Sequence, residues 1–408
     1  MNIGIVTMWF ERGAGYVSRQ YRQILNQKNK VFVYARSGKH LKGDPFWDDS
    51  NITWGKYSNL PVPTAIDRLD FEAWIKQKKI DIVFFNEQQW WEPLDWCLHL
   101  GIKTGAYIDY YTEETIPFFA AYDFLICNTQ RHYAAFSWHP QVFYVPWGTD
   151  IDLFKPQNFK PVDSRKIVFF HSCGYSPQRK GTDFIIQAFN NISNSSKLII
   201  HSQVDLIREI PEQKDIIQAL EQKDLLKIIN KTVSAPGLYH LGDVYVNASR
   251  LEGLGLPSIE SQACGLPLIT CDHPPMNEFM IEETGRAVRI DRLWSRKDGY
   301  YWPQCSPEIN SLTAILDSYI ENFSCIADLK RLTRFHAEQR FNWMDRYDLI
   351  NGIFETSTVD ISRKKDAVKQ ALLFERDRQG IVYRFAKNYP LAWNIYSSWR
   401  YKKGNFSR

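Results

Sequence analysis

Along most of the chain, short apolar runs rich in β-branched residues alternate with longer stretches in which apolar positions recur every three to four residues. The first pattern is that of buried strands, the second that of amphipathic helices. In the first part the strand runs fall at residues 3–7, 31–35, 81–85, 104–107, 124–127 and 142–145, with helical stretches at 15–26, 71–78 and 91–100. Gly101 stands just past the last of these, at a C-cap position. Alternation of this kind predicts parallel βα units.

Beyond Asp150 the texture changes. Residues 154–161 carry two prolines and read as a linker. A second series of apolar runs follows at 167–171, 198–201, 244–247, 268–270 and 287–290, with helices at 181–190, 213–230 and 257–264. Past Pro307 the pattern is helical, over 309–323, 327–341 and 343–354. The predicted fold is α/β: two Rossmann-like doubly wound domains, residues 1–155 and 156–342, then C-terminal helices over 343–408. In open parallel sheets ligands bind beyond the carboxyl ends of the strands. Two such domains facing each other would form a cleft lined by strand-end loops.

Composition narrows the class. With 44% hydrophobic and 24% charged residues, the 408-residue chain reads as soluble and globular. The aromatic share of 15% fits large cores first and sugar-stacking surfaces second. Seven scattered cysteines, none at Cys-x-x-Cys spacing, leave a zinc site and a disulfide framework unsupported. Reduced thiols and an N-terminus without a signal-peptide pattern make the expected location cytoplasmic. The net charge of +4 is unevenly spread. Residues 363–408 hold 12 Lys+Arg against 3 Asp+Glu, a local +9 that leaves −5 for the rest, and nine aromatics accompany them. Such a tail suits an anionic membrane surface at the inner face of the membrane; a final helix packed on the first domain explains it equally well. No nucleic-acid recognition motif is present.

The chemistry concentrates in one stretch, Asp243 to Pro267. A strand run at 244–247 leads into a loop holding Gly253 and Gly255, and a helix opens at Pro257, where proline sacrifices no hydrogen bond. Glycines allow close backbone approach, and helix-start amides favour an anion such as a diphosphate. Glu252 precedes the helix and Glu260 lies about one turn into it, so the two carboxylates can address different parts of one extended ligand. Earlier, Arg179 and Lys180 stand before Gly181, where a helix begins. Cations there oppose the helix dipole, which favours a ligand role over a merely solvated pair. Arg12-Gly13-Ala14-Gly15 follows the opening strand as a short glycine loop, either a phosphate or acceptor loop or a plain turn. Asp150-Ile151-Asp152 is the one Asp-x-Asp triplet, read as part of the domain junction; no metal and no cofactor are expected.

The frame Glu252-Gly-Leu-Gly-Leu-Pro-Ser-Ile-Glu260, followed by Ala263-Cys-Gly-Leu-Pro267, resembles the GT-B glycosyltransferases of the family 4 type, the glycosyl transferases group 1. Trp147-Gly148-Thr149-Asp150, Gln178–Asp183, Asn277-Glu278 and Phe341-Asn342-Trp343 match other segments of that family in order, and the resemblance covers roughly residues 1–355. It implies a GT-B fold and transfer, with retention and without a metal, of a hexosyl group from a nucleotide-diphosphate sugar to a glycan or lipid-linked acceptor, as in polysaccharide biosynthesis. Glu252, Lys180 and Arg179 would form the catalytic set: the two cations on the departing diphosphate, Glu252 on the hydroxyls of the transferred sugar. Glu260 would hold the ribose, with Gly255, Leu256, Gly15 and Gly13 near the donor. Same-face departure and attack is the preferred mechanism, a glycosyl-enzyme at Glu252 the alternative. Where relatives carry an arginine this chain has Gly174, and where they carry a histidine it has residues 106–114; Asp109 there, and Glu87 in Phe85–Glu92, are candidates for the acceptor. The indoles Trp90 and Trp91 beside Glu87 would either line that site or pack a helix start. A scaffold subunit retaining this fold without activity is the competing reading.

Overall fold

Runs such as Ile82-Val-Phe-Phe-Asn86 are apolar on both faces and therefore need cover on both sides of a sheet. In the computed structural model every residue of that run is buried. The structure describes residues 1–36, 41–157, 166–192, 196–378, 380–389, 391–393 and 395–396. The chain forms two compact units, one of Met1–Asn128, His132–Val145 and the residues from Tyr347 onward, the other of Thr129–Arg131 and Pro146–Arg346.

The first unit is built on a parallel sheet of seven strands: β1 (Asn2–Thr7), β2 (Lys30–Ala35), β3 (Ile52–Trp54), β4 (Ile82–Asn86), β5 (Lys103–Tyr107), β6 (Phe124–Cys127) and β7 (Val142–Tyr144). Their order is β3-β2-β1-β4-β5-β6-β7, so the direction of strand addition reverses between β1 and β4. Helices α1 (Gly13–Leu25), α2 (Arg68–Lys78), α3 (Glu92–His99) and α4 (Gln130–Phe136) connect them. The aromatic surplus goes mainly into packing: Tyr21, Phe84 and Phe124, and Tyr34, Phe71 and Trp74, meet with ring centroids 5–6.5 Å apart.

The second unit holds a parallel six-stranded sheet of β8 (Ile167–Gly174), β9 (Ser196–Ser202), β10 (Leu226–Asn230), β11 (Val244–Asn247), β12 (Leu268–Cys271) and β13 (Arg286–Val288), ordered β10-β9-β8-β11-β12-β13. The reversal here lies between β8 and β11. An antiparallel hairpin of β14 (Ile290–Trp294) and β15 (Gln304–Pro307) follows. The helices are α5 (Thr182–Asn190), α6 (Leu206–Glu209), α7 (Lys214–Gln222), α8 (Leu256–Ala263), α9 (Ile309–Glu321) and α10 (Ile326–Phe341). The Trp147 and Trp343 rings meet at 4.4 Å, tilted by 43°, and the N–H of Thr149 donates to Phe341 O, which joins two family-like segments far apart in sequence. At Gly148 a Cβ would lie 2.6 Å from that same carbonyl oxygen.

The chain then returns to the first unit as α11 (Tyr347–Thr356), α12 (Ile361–Arg378) and α13 (Ile381–Asn388). Phe354 of α11 meets Phe84 and Phe124 edge-on. Lys364 of α12 donates to Asp123 at 2.6 Å and to Ile102 O at 3.1 Å, with both charged side chains at or below 1% exposure. The basic tail through α12 thus packs on the first unit, while Val382, Phe385, Tyr389 and Leu391 stay exposed. Trp399 and Tyr401 lie outside the described residues, as do residues 158–161 of the expected linker. Among the described residues no helix is long and apolar enough to cross a membrane.

Three expectations change. The helix read over 213–230 stops at Gln222; Asp224 turns the chain with φ 52°, and Leu226–Asn230 pairs with β9 as an edge strand. The three-residue strand β3 and the hairpin partner β15 have no counterpart in the predicted runs. The run at 287–290 belongs to two strands, β13 and β14.

Candidate functional site

At the β8/β11 reversal two loops leave neighbouring strand ends side by side, where a doubly wound sheet opens a crevice. The chain exits β8 through Gly174 (φ 54°), a left-handed position that disfavours any side chain, arginine included. It enters α5 through Gly181 (φ 66°), where a Cβ would fall 1.9 Å from Ala248 O. Only glycine lets the α5 entry touch the loop after β11, and the N–H of Arg250 closes that contact onto Arg179 O at 2.8 Å.

This contact brings together the three residues of the expected catalytic set. Lys180 Nζ donates to Glu252 Oε1 at 2.6 Å and Arg179 Nη1 to Oε2 at 2.9 Å. Ser249 Oγ adds a third bond to Oε1 at 2.6 Å. Burial drives the Glu252 carboxyl upward, but Lys180, then Arg179, outweigh it and hold the group at about 2. Burial lowers Lys180, with Glu252 opposing. The pair is therefore an ionised carboxylate against an ammonium in a dry setting, where Coulombic forces are strong. Beneath it, His171 is fully buried between Val246 O (2.8 Å) and Thr182 Oγ1 (2.9 Å), and burial lowers it to about 4. Arg250 grips Asp183 through two bonds of 2.8 and 2.7 Å, fixing the start of α5.

Gly255 caps α8 with φ 79°, and Leu256 is the first residue of that helix. Glu260, on α8 and half-buried, accepts a 2.6 Å bond from Tyr239 Oη. Burial raises its carboxyl to about 7, against the pull of that bond and of Lys180. In this structure Glu260 thus faces Tyr239, while Glu252 faces the cations.

In the first unit Gly15 is required by packing, since a Cβ would lie 2.1 Å from Phe10 O, whereas Gly13 has open space around it. Asn86 Nδ2 donates to Ala14 O (2.9 Å) and Ser18 Oγ (2.8 Å), tying this loop to β4. Glu87 follows β4 with φ 56°, a strained conformation for a residue with a side chain. It lines a cavity with Asp109, Tyr107, Tyr110, Phe119 and Tyr122. Glu87 and Asp109 are hydrogen-bonded to each other, and burial first, then Asp109, push the Glu87 carboxyl well above its ordinary range, against Arg36 and Arg12. The indoles do not join this cavity lining. Trp90 and Trp91 are buried against Trp96, Phe118 and Phe119 and pack the start of α3. The main-chain N–H of Trp91 donates to Glu375, whose carboxyl burial raises to about 7.

These shifts set a pH dependence. Glu87, Glu260 and Glu375 hold protons in the folded state that the unfolded chain has already released, so their contribution to stability falls as pH rises through about 7 for Glu260 and Glu375 and about 8 for Glu87. His139 and His171, both lowered to about 4, act in the opposite sense, but only below the ordinary histidine range near 6.5. Between pH 6.5 and 8 the carboxyls remain, and the melting temperature should drop by a few degrees. Thermal melts at constant ionic strength check this; a rise over that window would show the carboxyls to be solvated.

Sequence reasoning did not single out Ser249, Tyr239, His171 or Arg131, which tertiary structure brings to the motif. Asp150, of the Asp-x-Asp triplet, accepts the N–H groups of Asp152 and Leu153 at 3.0 Å each and so shapes the turn at the junction.

Residues 164–293 match the family model of the Glycosyl transferases group 1. A probable sucrose-phosphate synthase of Thermosipho melanesiensis is 26% identical over 147 residues, 32% of either chain, so the match spans about a third of that relative's length. Among solved structures, a glycosyltransferase from Rickettsia africae ESF-5 superposes with TM-score 0.69 at 14% identity, covering 87% of this chain and 99% of the other. HepE of Anabaena, solved with UDP and glucose, gives 0.65 at 16% identity with 87% and 100% covered. Sucrose-phosphate synthase of Thermosynechococcus elongatus gives 0.64 at 16% with 87% and 98% covered. With its two parallel-sheet units and C-terminal helices, the chain has the GT-B fold, and its residues 164–293 are similar to the Glycosyl transferases group 1.

Proposed function

We propose that the protein is a metal-independent retaining glycosyltransferase that takes a hexosyl group from a nucleotide-diphosphate sugar and forms an α-glycosidic bond to a glycan or lipid-linked acceptor. The observation that carries this reading is the convergence of Lys180 and Arg179 on Glu252 at the β8/β11 strand ends. Breaking the sugar–phosphate bond leaves negative charge on the diphosphate, and two fixed cations in a partly dry site stabilise that charge without a metal. Glu252, kept ionised, is an acceptor-only group suited to the hydroxyls of the transferred sugar. Glu260 would exchange its bond to Tyr239 for the ribose hydroxyls, with Gly255 and Leu256 offering backbone close by. The strained Glu87 with Asp109 suits an acceptor hydroxyl in the first unit, since the pair can both donate and accept. Departure and attack on the same face is the mechanism we prefer for it, with a glycosyl-enzyme at Glu252 as the alternative. Retention of the cation–carboxylate arrangement favours catalysis over a scaffold role.

Thermal shift against UDP, GDP, ADP and their sugar conjugates, with and without EDTA, tests the donor site. HepE of Anabaena has been solved with UDP-glucose, which makes UDP the first choice. A ligand bound only by the folded state raises its melting temperature. We expect a shift with one nucleotide that persists in EDTA and is lost in Lys180→Ala and Glu260→Ala. No shift with any nucleotide would transfer weight to the scaffold reading.

A further inference from the structure

Thr129–Arg131 belongs to the second unit, although the chain on either side of it belongs to the first. Arg131 is 4% exposed, and its guanidinium is held on several sides. Nη2 donates to the main-chain carbonyl of Glu252 and, at 3.3 Å, to Tyr300 Oη. Nη1 donates to Pro274 O at 2.9 Å. The group lies over the Trp302 ring, 5.4 Å from its centroid. Its own backbone is fixed as well, because the Glu278 carboxylate accepts the N–H groups of Gln130 and Arg131 at 2.5 and 3.1 Å. One side chain therefore ties the loop after β11, the loop after β12 and the turn of the β14–β15 hairpin. Tyr300 and Trp302 lie beyond residue 293, where the match to the family model ends.

Glu252 is thus gripped at two ends. Lys180 and Arg179 hold its carboxylate, and Arg131 holds its carbonyl. If Lys180 and Arg179 serve the donor diphosphate, as proposed above, the carboxylate shares them with that ligand. The carbonyl anchor, together with Ser249 Oγ on the carboxylate, then keeps Glu252 in place. We infer that Arg131 is a positioning residue that keeps Glu252 on the transferred sugar, and that the β14–β15 hairpin, through Tyr300 and Trp302, holds Arg131. This rests on the donor-site reading. A planar guanidinium can serve these fixed acceptors together; an ammonium cannot reproduce that fork.

The consequence separates sugar from nucleotide. A nucleoside diphosphate without its sugar does not need Glu252, whereas the sugar nucleotide does. The test uses the full chain, the nucleotide that gives a shift among UDP, GDP and ADP, and its sugar conjugate. Turnover is read as hydrolysis of the conjugate by water, which needs no identified acceptor. Arg131→Lys should leave the affinity for the bare nucleotide within about twofold. It should lower turnover of the conjugate about 10- to 100-fold, the scale of a small misplacement in a reacting site. Tyr300→Phe, which deletes a single hydroxyl and spares the fold, should move the same ratio in the same direction by a smaller factor. Equal loss of affinity for nucleotide and conjugate, or unchanged turnover in both variants, would make Arg131 a structural residue only and overturn the inference. If the wild type binds no nucleotide, the donor-site reading itself fails and this assignment goes with it; nucleotide binding with an unmoved ratio overturns the assignment alone.

Discussion

Lys180→Ala is expected to lower donor turnover about 10²- to 10³-fold, the scale for removing one preorganised donor from a developing negative charge. The side chain is 11% exposed and its ammonium sits 2.6 Å from Glu252, so water cannot easily replace it. Without it Glu252 keeps Arg179, whose side chain is 42% exposed and more screened. Arg179→Ala should accordingly cost less than Lys180→Ala. Steady-state hydrolysis of the donor, with the melting temperature recorded alongside, checks the order. Turnover of Lys180→Ala within about threefold of wild type would mean that the diphosphate is met elsewhere.

The second large effect concerns stability. Lys364→Met should destabilise the first unit by about 3–5 kcal/mol, because it strands a carboxylate in the interior. Asp123 is 0% exposed, and its Oδ2 also receives Thr104 N–H at 2.6 Å. Its Oδ1 has no hydrogen-bond partner, so little remains to compensate the charge once the ammonium is gone. Adding Asp123→Asn should restore part of the loss, since an amide oxygen can still accept from Thr104. Chemical unfolding of the two variants measures both. A single-variant change below about 1 kcal/mol would show that water or relaxation solvates Asp123.

Much of this architecture is legible in the residues. The apolar runs at 3–7, 31–35 and 124–127 sit in strands because nothing else buries such continuous apolar sequence. Leu226–Asn230 is different: it is an edge strand, its first residues extend the helical spacing of α7, and no glycine or proline marks the turn at Asp224. At the site, Lys180, Arg179 and Glu252 could be paired in advance because the motif frame orders them. Tyr239, 21 residues before Glu260, and Arg131, 121 residues before Glu252, carry no local signal. Tertiary packing alone delivers them. Trp90 and Trp91 illustrate the converse, since an indole at a strand end serves a pocket or a core equally well until its neighbours are known.

The buried pair also has a meaning in time. Asp123 leaves the ribosome 241 residues ahead of Lys364. At about 5–20 residues per second, that separation is roughly 12–48 seconds of synthesis during which the second unit is made and the acid has no cation. The first unit cannot be completed until α12 emerges, after the second unit has been synthesised. A chain terminated before Lys364 would retain every residue of the Lys180–Glu252 site and still display an amino-terminal unit without its α12 cover to chaperones and proteases.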